Sequence, residues 1–183
     1  MPFTSLPPML GEALAARGYS APTPVQAAVL EAEAEGRDLI VSAQTGSGKT
    51  VAFGLAMAPQ LIEPNGEMPY IREPLALVIA PTRELALQVS RELIWLYGKA
   101  GARIATCVGG MDASKERRAL GQGAHIVVGT PGRLGLEDGG LHCGGGAVAA
   151  RFERFGEERG KGIRKHETRV RFGTAKAVRG RPA

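Results

Sequence analysis

A chain of 183 residues with 44% apolar content has the length of one domain and enough apolar material for a core. No stretch approaches the ~20 apolar residues of a membrane span. Met1 to Ser5 lacks the basic and apolar regions of a secretory signal, and Cys107 and Cys143 are too few for a disulfide framework, so the expectation is a cytoplasmic protein with no membrane partner. The net charge of +5 is uneven: residues 1–134 hold 12 Lys+Arg against 12 Asp+Glu, whereas 135–183 hold 11 against 6, with 11 of the 26 glycines. That shift places a boundary near Leu134.

In chain order, Ser5 is positioned to cap a helix through Met9, Ala13, Leu14 and Arg17 that Gly18 ends, and Thr23 with Pro24 starts a second that Gly36 ends. Arg37 to Ser42 reads as a short strand, and Val51 to Met57 as a helix. Leu75 to Ala80 is a near-continuous apolar run of the kind found in buried parallel strands. Arg83 to Tyr97 then reads as an amphipathic helix with Leu85, Val89, Leu93 and Leu96 on one face. Arg103 to Val108 and His125 to Gly129 are further strands, separated by a short charged helix capped by Asp112, and Cys107 reads as a core thiol. The alternation predicts an α/β fold with a mainly parallel sheet, whose ligands gather at the carboxyl ends of the strands.

Between the first strand and its helix lies Ala43-Gln44-Thr45-Gly46-Ser47-Gly48-Lys49-Thr50. A glycine-rich turn here lets backbone N–H groups curl round an anion, and the helix start adds the positive end of its dipole. Lys49 would reach the β- and γ-phosphates of a nucleotide, and Thr50 would place its hydroxyl on Mg²⁺. Pro81-Thr82-Arg83, Gly109-Gly110 and Thr130-Pro131-Gly132-Arg133 each follow a strand, so they should share one rim with this loop.

With these motifs in order, the chain resembles the N-terminal RecA-like domain of the DEAD-box ATP-dependent RNA helicases. Gly18 to Gln26, with Phe3 upstream, is similar to the Q motif, and Ala43 to Thr50 to motif I, where the resemblance makes Ala43 an ordinary first residue. Pro81 to Gln88 resembles motif Ia, Gly109-Gly110 the GG doublet, and Thr130 to Arg133 motif Ib. The resemblance implies a P-loop ATP site with Mg²⁺ and RNA as partner. Gln26 would read the N6/N7 edge of adenine, since an amide offers one donor and one acceptor. Phe3 and Tyr19 would pack near the base, where stacking is worth about 1–3 kcal/mol, or equally in the core of the first helices. Arg83 and Arg133 would grip phosphates, Thr82 and Thr130 would donate to backbone oxygens or cap helices, and Gly109 and Gly110 would admit the strand closely, giving sequence-independent, salt-sensitive binding. Trp95 and Tyr97, far along their helix from the rim, read as packing residues.

Hydrolysis needs carboxylates that hold the Mg²⁺ water shell and orient the attacking water, which in the family come from the Asp-Glu-Ala-Asp motif. These 183 residues contain no such sequence, no Ser-Ala-Thr motif and no second RecA-like domain. The expectation is therefore a hydrolysis-deficient chain: residues 1–134 form an incomplete ATP- and RNA-binding domain, truncated before the acidic motif and weakly stable for want of its central strands. Residues 135–183 form a disordered, basic Gly/Arg-rich tail with no convincing strand. The tail reads as out-of-frame translation after Leu134, as a deletion joining the domain to a basic C-terminal segment, or as a purposeful short end. The alternative to an enzyme portion is a non-hydrolysing binding fragment or an inert frameshift product. His142, Cys143 and His166 match no standard metal-ligand spacing.

Overall fold

A computed structural model of the chain describes Phe3 and residues 6–31, 39–44, 46–71, 73–134, 148–154 and 167–174. Helix α1 spans Pro8–Ala16 with Pro7 at the cap position, two residues beyond the expected Ser5 cap; Ser5 lies outside the described residues. The consecutive Pro7 and Pro8 account for the shift, because a residue before proline is pushed out of the helical region and proline is suited to a first helical turn. Helix α2, Pro24–Val29, starts at Thr23 as expected and stops at Leu30, with Gly36 outside the described residues.

Strand β1 is Leu39–Gln44, and α3, Lys49–Leu61, begins directly after the glycine-rich turn. Strand β2 (Ala76–Ile79) leads to α4, Arg83–Tyr97, with the bounds its apolar periodicity predicts. A 3₁₀ turn at Gly98–Ala100 connects to β3 (Ile104–Cys107), α5 (Ala113–Gly121), β4 (Ile126–Gly129) and the single turn α6 (Pro131–Leu134). The Asp112 side chain caps α5, accepting from Ser114 N–H at 2.8 Å.

The six strands form one sheet in the order β1-β6-β5-β2-β4-β3, where β5 is Val148–Arg154 and β6 is Glu167–Thr174. Strands β2–β4, β3–β4 and β2–β5 pair in parallel, and β6 is antiparallel to both neighbours, so β1 runs the same way as β2 to β5. The carboxyl ends of β1, β2, β3 and β4 therefore face one rim.

Two strands from beyond Leu134 depart from the expectation of a strandless tail and a gap in mid-sheet. The register sets Ile79 opposite Arg151 and Gln44 opposite Glu167, which closes the ladder between β1 and β2. Unpaired ladder groups in a sheet centre cost about 1–3 kcal/mol each, a strong pull on any chain able to extend. The alternation Arg169-Val170-Arg171-Phe172 and the Val148-Ala149-Ala150 run give the segment that capacity.

Strands β2 and β4 are buried on both faces. Ala76, Val78, Ile126 and Val128 join α1, α3 and α4 in the main core through Leu10, Leu14, Phe53, Leu55, Val89, Leu93 and Leu96. Leu77, Ile79, Val127, Ala105 and Cys107 form a second cluster on the other face, closed by Leu134 and flanked by Ala119 and Leu120 of α5. Cys107 is buried as expected, and burial above all, with the Glu116 carboxylate adding, pushes its thiol up to about 11.

Candidate nucleotide and RNA site

The turn after β1 is held from below by α2. Thr23 Oγ1 donates to the Ser47 carbonyl at 2.9 Å, and Gln26 Nε2 donates to the Gly48 carbonyl at 3.4 Å while its Oε1 accepts from Thr23 N–H at 3.0 Å. Gly48 sits at φ +84, and a Cβ there would lie 2.6 Å from Gln26 Nε2, so dihedral and space both demand glycine. Gln26 is fully buried, and its amide engages the loop backbone. Sequence reasoning missed this, because the partners are 22 residues apart. The capping-box spacing from Thr23 to Gln26 was the available signal.

Lys49 is 9% exposed and donates from Nζ to the Ala43 carbonyl and, at 2.5 Å, to that of Gln44. A buried ammonium requires acceptors, and the curled loop supplies them from its own backbone. Ser47 Oγ is buried without a hydrogen-bond partner among the described residues. An orphaned hydroxyl, a buried lysine and two left-handed glycines, Gly46 and Gly48, inside one turn at a helix start are the chemistry an anionic phosphate group satisfies, so these residues fit a nucleotide. Thr50 is half-buried in the first turn of α3, and Thr45 lies outside the described residues.

Phe3 and Tyr19 pack partly buried against the main core. Tyr19 stacks on Trp95 with ring centroids 5.9 Å apart, and the Arg17 guanidinium lies 5.0 Å over the Trp95 ring. Tyr97 is fully buried and donates its hydroxyl to the Gly54 carbonyl at 2.5 Å, tying α4 to α3; burial drives its phenol far above the ordinary value. Both packing expectations hold.

Along the rest of the rim, Pro81, Arg83, Gly109, Gly110, Gly132 and Arg133 are exposed, and Thr82, Thr130 and Pro131 are half-buried. Thr82 caps α4, accepting from Leu85 N–H at 3.3 Å. Arg83 Nη1 donates to the Gly109 carbonyl at 2.5 Å, its guanidinium lying where a Cβ of Gly110 would stand. Arg133 Nε donates to Glu116 Oε2 at 2.7 Å, and Glu116 Oε1 accepts from Val108 N–H at 3.2 Å. Glu116 was not a sequence candidate: an acid in a charged helix beside Lys115, Arg117 and Arg118 reads as solvated.

The family model described as DEAD/DEAH box helicase matches residues 23–140, a span holding all of these rim motifs. The chain belongs to that family. It is 47% identical over 125 residues to an ATP-dependent rRNA helicase, rrp3, of Emericella nidulans, covering 68% of this chain and 26% of that protein. It is 44% identical over 125 residues to the DEAD-box ATP-dependent RNA helicase CshA of Bacillus licheniformis, covering 68% and 24%. Among solved structures, the RNA helicase Prp28 of Chaetomium thermophilum bound to ADP superposes with a TM-score of 0.67 at 36% identity, over 79% of this chain and 35% of that one. A hypothetical ATP-dependent RNA helicase of Sulfolobus tokodaii gives 0.58 at 29% identity, over 69% and 34%. The chain thus spans roughly a quarter of these curated relatives, and its α/β fold is that of the RecA-like helicase domain. Among the described residues, no helix is long and apolar enough to cross a membrane, and no group of three His, Cys, Asp or Glu could hold a metal ion.

Proposed function

We propose that this chain is an ATP- and RNA-binding portion of a DEAD-box ATP-dependent RNA helicase, and that it binds without turning ATP over. The observation that carries the reading is Lys49, buried with its ammonium against the Ala43 and Gln44 carbonyls, in the same turn as a Ser47 hydroxyl that has no partner among the described residues. Ala43 to Thr50 would hold the phosphates, Lys49 neutralising them and Thr50 contributing a hydroxyl to Mg²⁺, which when bound offsets phosphate charge. Phe3 would flank the base, while Tyr19, stacked on Trp95, serves packing. Adenine selection by Gln26 requires its amide to release Thr23 and Gly48, which couples base preference to loop shape through one side chain.

RNA would run over Pro81 to Arg83, Gly109-Gly110 and Thr130 to Arg133, whose exposure suits contact with an anionic backbone. Duplex unwinding belongs to the proposal for the whole family protein, as does a cytoplasmic setting. The absence of an Asp-Glu-Ala-Asp sequence supports binding over turnover.

Two assays test the reading. Mg-ATP in hundredfold excess over its Kd should stabilise the folded chain by about 2.7 kcal/mol and raise its melting temperature, while phosphate release with oligouridylate present should stay at background. Release that depends on Lys49 would overturn the non-hydrolysing reading, and a melt indifferent to Mg-ATP would overturn nucleotide binding.

A further inference from the structure

Glu116 is the buried residue of α5, whose Ala119 and Leu120 are half-buried against the second cluster and whose other residues are exposed. Its carboxylate stands between two rim motifs, one oxygen taking the N–H of Val108, the residue before Gly109, and the other the Nε–H of Arg133. A carboxylate with only 8% exposure needs donors on its oxygens in place of water, and both oxygens have one here. Arg133 has five N–H donors in a rigid fork. Glu116 takes the one at Nε, which restrains the guanidinium, and the side chain remains 32% exposed, leaving it accessible to a ligand. Arg83 joins the same frame through the Gly109 carbonyl.

We infer that Glu116 is a positioning residue for RNA, aiming the Arg133 guanidinium at a backbone phosphate and fixing its spacing from the Gly109-Gly110 turn; this rests on the RNA-binding reading above. Simple electrostatics opposes it in sign. A carboxylate near an anionic strand repels it, so if charge alone mattered, removing Glu116 would tighten RNA binding. If positioning matters, removal weakens binding, because a free arginine must be ordered afresh for each contact.

The test measures anisotropy of a short fluorescein-labelled oligouridylate with the full chain, with Glu116→Gln, with Arg133→Ala and with the double variant. Glutamine keeps the volume but has one acceptor for two donors. Each single variant should bind roughly tenfold more weakly, as expected for one charge-assisted hydrogen bond, and the double variant no more weakly than Arg133→Ala. Equal or tighter binding by Glu116→Gln, or losses that add, overturns this inference alone, while absence of binding by the unaltered chain overturns it together with the RNA reading. Hydrogen exchange at Arg133 Nε–H gives a readout that needs neither RNA nor a stable variant. Slow exchange in the unaltered chain supports the clamp, and rapid exchange overturns it.

Discussion

At the nucleotide end of the rim the ties run from side chains to loop backbone, Thr23 to Ser47, Gln26 to Gly48 and Lys49 to Ala43 and Gln44. At the arginine end a charged pair, Glu116 with Arg133, adds to such ties. The strands beneath differ in the same sense. Strands β2 and β4 are sandwiched and fully buried, whereas β1 alternates between half-buried and exposed residues, with Ile40 66% exposed. The arginine end inherits rigidity from a two-sided core, while the nucleotide loop depends on a few polar bonds that a ligand can compete for.

The largest effect should come from cutting the core beneath the arginine end. Leu77→Ala, fully buried on β2 in the cluster that Leu134 closes, should cost about 2–5 kcal/mol, and Ile40→Ala on β1 no more than about 0.5 kcal/mol. Urea unfolding of both variants checks this, and equal losses would erase the contrast between the two ends. Next, Gly48→Ala places a β-carbon at φ +84 against the Gln26 amide. It should lose about 1–3 kcal/mol and weaken Mg-ATP binding while leaving oligouridylate affinity within twofold, as paired titrations would show.

Arg83→Ala sharpens the comparison from the other end: nucleotide affinity should hold, and the salt slope of oligouridylate binding should fall by about 0.7, one phosphate contact on a single strand. The smallest effect concerns His125, buried at the start of β4. Its Nδ1 accepts from Arg103 N–H at 2.9 Å, and its Nε2 lies 3.0 Å from the Pro69 carbonyl. Burial chiefly, with the Arg103 charge adding, lowers its pKa against the Pro69 hydrogen bond. The folded state therefore favours the neutral ring: this contribution is full above the unfolded histidine pKa of about 6.5 and declines as pH falls below it. Melts at pH 7.5 and 5.5 should differ less in His125→Gln than in the unaltered chain.

Elements whose residues carry their own periodicity were legible in the chain. Helix α4 has its predicted bounds because Thr82 caps it and apolar residues recur on one face, and β2 is the apolar run before it. The rim motifs were legible too, each being a short run after a strand. What escaped was set by distant partners: the engagement of Gln26 by Gly48, the burial of Glu116 by Arg133 seventeen residues on, and the pairing of Arg-rich segments beyond Leu134 with β1 and β2. Arginines and glycines conceal a strand from pattern reading, whereas open ladder groups select for one.

The most direct test is titration of a fluorescent ATP analogue with Mg²⁺ into the chain and into Lys49→Ala, with circular dichroism confirming that both are folded. Saturable binding by the unaltered chain, competed by ATP and weakened at least tenfold by Lys49→Ala, is the predicted result. Binding that ignores Lys49, or none to a folded chain, would contradict the assignment of Ala43 to Thr50 as the nucleotide site.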